Sequence, residues 1–117
     1  MIYAYIRETP NQEATKVKRQ KIDRYAVDHH LKVAEWVIEP TVAKGQRILP
    51  KLQVLAEKLR EGDIILSCSI VDLGVSIHSF LDFLNDCFAA KGSIQTIEEA
   101  YSLHHDDTTN SFFDGID

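Results

Sequence analysis

Two side chains near the start of the chain could do chemistry together. The run Ile2-Tyr3-Ala4-Tyr5-Ile6 is apolar and aromatic, as in a buried strand, and it ends on Arg7. A polar turn follows, Glu8-Thr9-Pro10-Asn11, and a helical pattern begins. Thr9 supplies a hydroxyl, a potential nucleophile, and Arg7 supplies a fixed positive charge for an anion. Open α/β sheets place their sites at this position, just past the C-terminal end of a buried strand.

The other candidates are weaker. His104-His105-Asp106-Asp107 puts four metal-ligating types side by side. Neighbouring ligands in a polar tail rarely converge on one ion, and no HxxxH or CxxC spacing frames them, so a solvated tail is expected and no metal. His29-His30 stands where a helix should end, which suits a structural role. His78 is expected at the surface of a helix. Cys68 and Cys87 fall on elements that read as buried and lack a partner pattern; reduced core thiols are expected, and no cation lies near Cys68 in sequence to activate it. No Gly-rich phosphate loop is present, so neither a nucleotide nor any other cofactor is expected.

The elements that must position Arg7 and Thr9 alternate between strand and helix. Helix one is expected over about Asn11–His29, capped by Asn11, with Ala14, Val17, Ile22, Tyr25 and Ala26 as its apolar stripe. Lys16, Lys18, Arg19, Lys21 and Arg24 fall mostly off that stripe, as a solvated basic face or a face toward DNA. His30 follows the expected helix end. Strand two is expected at Lys32–Ile38, ended by Pro40, and Thr41–Leu49 is a loop. Pro50 opens helix two, where Leu52, Leu55, Ala56 and Leu59 recur at i, i+3, i+4 and i+7, and Gly62 stops it. Asp63–Cys68 reads as a buried parallel strand and Ile70–Ser76 as a turn. Helix three spans about Ser76–Ala90, with Ile77, Phe80, Leu81, Leu84 and Phe88 inward, closed by Lys91-Gly92. Ser93–Ile97 is a fourth strand. Together these predict a three-layer, doubly wound α/β sheet of about four mostly parallel strands with helices on both faces. The domain is expected over residues 1–100, with an acidic polar tail over 101–117 and a short turn around Phe112-Phe113.

The 117 residues suffice for one domain. No apolar run approaches the roughly 18 residues of a membrane helix, and no signal peptide is evident, so a cytoplasmic protein is expected. The net charge of -5 conceals an asymmetry. Residues 1–60 carry 12 Lys/Arg against 7 Asp/Glu, and residues 61–117 carry 1 against 11. Only the first half could displace counterions from a phosphate backbone, and the second half would repel it.

The opening stretch resembles that of the serine recombinases, the resolvase/invertase family. There a strand reading roughly I-Y-x-Y-x-R runs into V-S-T-x-x-Q, and the Ser attacks a DNA phosphate. The resemblance gives Arg7 the family's Arg, and puts Glu8, Thr9 and Pro10 where the family has Val, the nucleophilic Ser and Thr. A second anchor is Leu52, Leu55, Leu59, Gly62-Asp63 and Ile64-Ile65-Leu66, followed by Ile70-Val71-Asp72-Leu73-Gly74-Val75-Ser76. It is similar to the family's run ending L-D-R-L-G-R-S and matches it at Leu73, Gly74 and Ser76. On that placement Val71 replaces the family's Asp, and Asp72 and Val75 replace its two Arg residues. Leu49 replaces the Arg of the family's D-R-x-x-L; Arg47, two residues upstream, substitutes only if the loop shifts. Thr41 or Ala43 is nearest to the family's S-G.

The resemblance covers about Met1–Ile97 and implies a resolvase-like catalytic domain with a decayed site. Preorganised cations that meet charge on a transferring phosphate contribute about 10²–10³-fold each. Here two such positions are apolar and one is reversed in charge, while the β-methyl of Thr9 restricts its rotation. Active members continue into a long helix and a helix-turn-helix reader, and residues 101–117 show no such pattern. The expectation is therefore a pseudo-recombinase, assembling as a homodimer or as a hetero-oligomer with an active recombinase, with weak or indirect DNA contact. The alternative is a weakly active strand transferase using Thr9, Arg7 and Arg47. A receiver-type signalling domain is excluded: that site needs paired carboxylates after the first strand and an Asp after the third, and Arg7-Glu8 and Ser67-Cys68-Ser69 stand there.

Overall fold

A computed structural model describes residues 1–104. His105, Asp106, Asp107 and the turn expected around Phe112-Phe113 lie outside the described residues. Five strands form one sheet: β1 (Ile2–Arg7), β2 (Glu35–Glu39), β3 (Ile64–Ser67), β4 (Ser93–Thr96) and β5 (Tyr101–His104). The spatial order is β2-β1-β3-β4-β5. The first four strands are parallel, and β5 runs antiparallel to β4. The described residues also form three helices, α1 (Gln12–Asp28), α2 (Pro50–Lys58) and α3 (Ile77–Ala89), with a 3₁₀ turn at Ile70–Leu73 between β3 and α3.

The period-two alternation of β1 divides the core into two. Tyr3 and Tyr5 point to the face covered by α2 and α3, where they join Leu52, Leu55, Phe80 and Leu84. Ala4 and Ile6 point to the opposite face and meet Ile22 and Ala26 of α1. The expected three-layer α/β architecture is the one observed.

Several local expectations hold for their stated reasons. The Asn11 side chain accepts from the Glu13 N–H and caps α1. His30 sits at φ 56 after α1. Its N–H donates to Val27 O and that of Leu31 to Ala26 O, the paired bonds of a Schellman ending. Pro50 opens α2, and Ser76 and Ser79 form a reciprocal cap on α3.

Others need correction. α1 turns Lys18, not Val17, toward the sheet: Lys18, Ile22 and Ala26 recur every four residues on one face, while Val17 is exposed. In α3 Phe80 and Leu84 are buried and Leu81 and Phe88 pack half-buried against the core as expected, but Phe83 and Cys87 are buried as well and Ile77 is 56% exposed. Lys91-Gly92 does close α3, with Lys91 in the left-handed region (φ 62). β2 begins at Glu35, three residues later than expected. The strand Tyr101–His104 is additional; it pairs Leu103 with Ile94 and buries only Leu103.

Candidate functional site

β1 lies between β2 and β3, so the chain leaves it in one direction and returns on the other side. The crevice past the strand ends at such a reversal is where open α/β sheets hold ligands. Arg7 closes β1 there, and the segment 69–74 after β3 faces it. Between them lies a hollow of about 290 Å³, whose lining includes Arg7, Thr9, Lys18, Val42, Val71 and Asp72.

Arg7, Lys18 and Asp72, three of the charged residues that line this hollow, have internal partners. Arg7 Nη1 donates to the carbonyls of Val71 at 3.3 Å and Gly74 at 3.1 Å. Lys18 Nζ donates to the Arg7 carbonyl and to Asp72 Oδ1, both at 3.0 Å. Asp72 is only 7% exposed. Burial pushes its carboxyl above the usual range; the Lys18 pairing and the Arg7 charge oppose that without cancelling it. Its second oxygen, Oδ2, is buried and finds no hydrogen-bond partner among the described residues. Thr9 Oγ1 donates to the Asn11 carbonyl at 3.1 Å, so its proton is engaged within its own turn.

Two further carboxylates fix the walls. Glu99 accepts from Ser69 Oγ at 2.6 Å and from the Ile70 N–H, which pins the start of the 3₁₀ turn. Arg7 holds the same segment at its far end. Glu39, at the end of β2, accepts from the Tyr5 hydroxyl at 3.0 Å and from the N–H groups of Lys51 and Leu52. This buried carboxylate satisfies the open N-terminus of α2. It also helps raise the Tyr5 hydroxyl far above its ordinary value, behind burial as the main cause.

The remaining candidates lie elsewhere. Arg47 lines a second hollow, between α2 and α3, whose floor is Leu49, Leu52, Leu73 and Phe83. Leu49 is buried in the core. Val75 is half-buried and packs against the same core. Val71 is 69% exposed, so it faces outward where a polar side chain would meet solvent. Thus Arg7, Thr9, Val71 and Asp72 come together, while Arg47, Leu49 and Val75 do not line that hollow. Cys68 and Cys87 are buried, and burial raises their thiols to about 11 and about 12. No group of three or more His, Cys, Asp or Glu placed to hold a metal occurs among the described residues. Nor is any helix among them long and apolar enough to cross a membrane.

Lys18, Glu39 and Glu99 were not singled out from sequence. The four-residue spacing of Lys18 with Ile22 and Ala26 is the available signal for the first. Nothing in the sequence marks the other two, since both act on backbone N–H groups and hydroxyls of segments remote in sequence.

A family model described as the resolvase N-terminal domain matches residues 2–116. The chain belongs to that family. Solved structures agree on the fold. The N-terminal catalytic domain of TP901-1 integrase superposes with TM-score 0.76 at 17% identity, covering 98% of this chain and 88% of that one. A resolvase family site-specific recombinase from Streptococcus pneumoniae gives 0.73 at 9% identity, covering 98% and 83%. The C-terminal catalytic domain of ISC1926 TnpA, an IS607-like serine recombinase, gives 0.65 at 15%, covering 99% and 76%. Comparison with curated proteins gives no match. This resolvase-family domain therefore carries the recombinase architecture, with Arg7 and Thr9 at the end of its first strand.

Proposed function

We propose that this resolvase-type domain no longer cleaves DNA and acts by assembling with itself or with an active recombinase, modulating recombination. The observation that carries the reading is the charge state around Thr9. Arg7 is held by two backbone carbonyls and Lys18 by the Asp72 carboxylate. The residues that replace the family's other Arg positions are Leu49, Asp72 and Val75, and none is a cation. A phosphate at the Thr9 hydroxyl would meet no uncommitted positive charge among the residues lining the hollow, and phosphoryl transfer without metal depends on such charge.

Assembly is supported by apolar surface beside the site. Val71 and Ile77 are 69% and 56% exposed and line one shallow depression with Val75 and Phe80. Such a patch suits a like body or a recombinase partner. DNA contact in this reading is weak or indirect. Weak cleavage by Thr9 with Arg7 and Arg47 has one observation in its favour: the hydroxyl, Arg7 and Lys18 share one hollow. Arg47, however, lines the other.

The test is to add purified protein to a recombination reaction run by an active family member, with sedimentation in parallel. Mixed or self-associated species and a dose-dependent change in recombination are expected. A strictly monomeric protein at micromolar concentration that leaves the reaction unchanged would refute the proposal.

A further inference from the structure

α2 and α3 each return from one parallel strand to the next on the same face of the sheet, so they run in the same direction. Two hollows between them, of about 240 and 450 Å³, share Gln53, Ala56 and Asp86 and so form one continuous groove. Arg47 and Ile48 stand at its upper end, just before the N-terminus of α2. Glu57, Leu59 and Ala90 stand at its lower end, where both helices finish. Ile48 is 58% exposed. Gln46 fixes the turn that presents it: its Oε1 accepts from the Ala43 N–H at 3.0 Å, and its Nε2 donates to the Ile48 carbonyl at 2.7 Å. Neither Arg47 nor Glu57 forms an ion pair among the described residues.

The groove therefore has a cation at one end, an anion at the other and apolar walls between them. The α3 dipole has the same sense, positive at the upper end and negative at the lower. Such a surface is complementary to itself after a half-turn, because rotation lays each end on its opposite. The other faces lack this polarity. On α1, on the far side of the sheet, Lys16 pairs with Glu13 and Lys21 with Glu98. Beside the open edge of β2, Lys58 pairs with Glu35. We infer that the α2–α3 groove is a two-fold interface between two copies of this chain. Arg47 of each copy faces Glu57 of the other, Ile48 of each seats on Leu59 and Ala90 of the other, and Gln53 and Ala56 meet at the axis. The inference deepens the assembly reading and rests on it, naming a second copy as the partner and a surface separate from the Val71–Ile77 depression. A groove this small makes a weak, reversible dimer.

The experiment is sedimentation equilibrium on the full chain, from micromolar to submillimolar concentration at low ionic strength. Wild type, Arg47→Glu, Glu57→Arg and an equal mixture of the two variants are compared. Wild type should approach a dimer and stop there, because a two-fold contact closes on itself. Each reversal alone places like charges together twice and should weaken the dimer at least tenfold. The mixture restores both contacts in a heterodimer and should recover wild-type association. Asp23→Lys, an equal charge change on the exposed side of α1, should leave the dimer unchanged. Ile48→Ser is a second, uncharged probe, expected to weaken association without altering the fold as read by circular dichroism. A wild-type dimer indifferent to Arg47→Glu and Glu57→Arg overturns the inference and leaves the assembly reading standing. So does a mixture no stronger than its components, or growth beyond the dimer. A monomeric wild type also overturns it, and the assembly reading then depends on the mixed species sought with an active recombinase.

Discussion

At the scale of single residues, the proposed loss of cleavage rests on where the charges of the site are directed. Arg7 and Lys18 point at internal acceptors, and Asp72 sits where the resemblance places a family Arg. The resemblance implies that reversal. It does not show that Asp72 is buried against Lys18, because the partners are 54 residues apart and Lys18 reads as part of a solvated basic face. The thiols give a separate check on burial. Cys68 and Cys87 are raised to about 11 and about 12 with burial as the first cause. Their folded values exceed the unfolded ones, so the stability they contribute is full below about pH 8.5. It falls as pH rises toward their folded values, by about 1.4 kcal/mol per pH unit for each thiol. Chemical denaturation between pH 8 and 11 should show this decline, and Cys87→Ala should flatten it. In the native state both thiols should react with a thiol reagent far more slowly than in denaturant.

At the scale of elements, the apolar runs of β1 and β3 and the spacing in α2 and α3 made four strands and three helices legible. β5 was not. Tyr101-Ser102-Leu103-His104 buries one side chain and is defined by its ladder with β4, which local composition does not reveal. The apolar Val33 suggests an earlier start for β2, yet regular pairing with β1 begins at Tyr3 and Glu35. Two substitutions test the elements that frame the site. A Cβ on Gly74 would lie 2.6 Å from both Phe80 N and Ser79 Oγ, so Gly74→Ala must shift the start of α3. It should lower stability by about 1–3 kcal/mol in a denaturant titration. His30, at φ 56, carries a side chain where glycine fits better. His30→Gly should add about 1 kcal/mol, visible as a melting temperature a few degrees higher.

At the scale of the whole molecule, the family model over residues 2–116 and the fold shared with recombinase catalytic domains agree with what the two sequence anchors implied. Architecture was legible because it rests on apolar periodicity, which survives substitution of charged residues. The state of the site was legible only in part, because it depends on which distant groups each charge meets. The sheet delivers a hydroxyl and an Arg to the reversal point, while Arg7 and Lys18 are paired internally; the proposed reading is that fold and chemistry have separated. That separation is most directly tested with supercoiled plasmid at high protein concentration, quenched in denaturing detergent to trap covalent protein–DNA adducts, with Thr9→Ala as control. No adduct is expected on a plasmid that an active family member cuts under the same conditions. Nicked or double-cut plasmid carrying attached protein, lost in Thr9→Ala, would contradict the account and make Thr9 a working nucleophile.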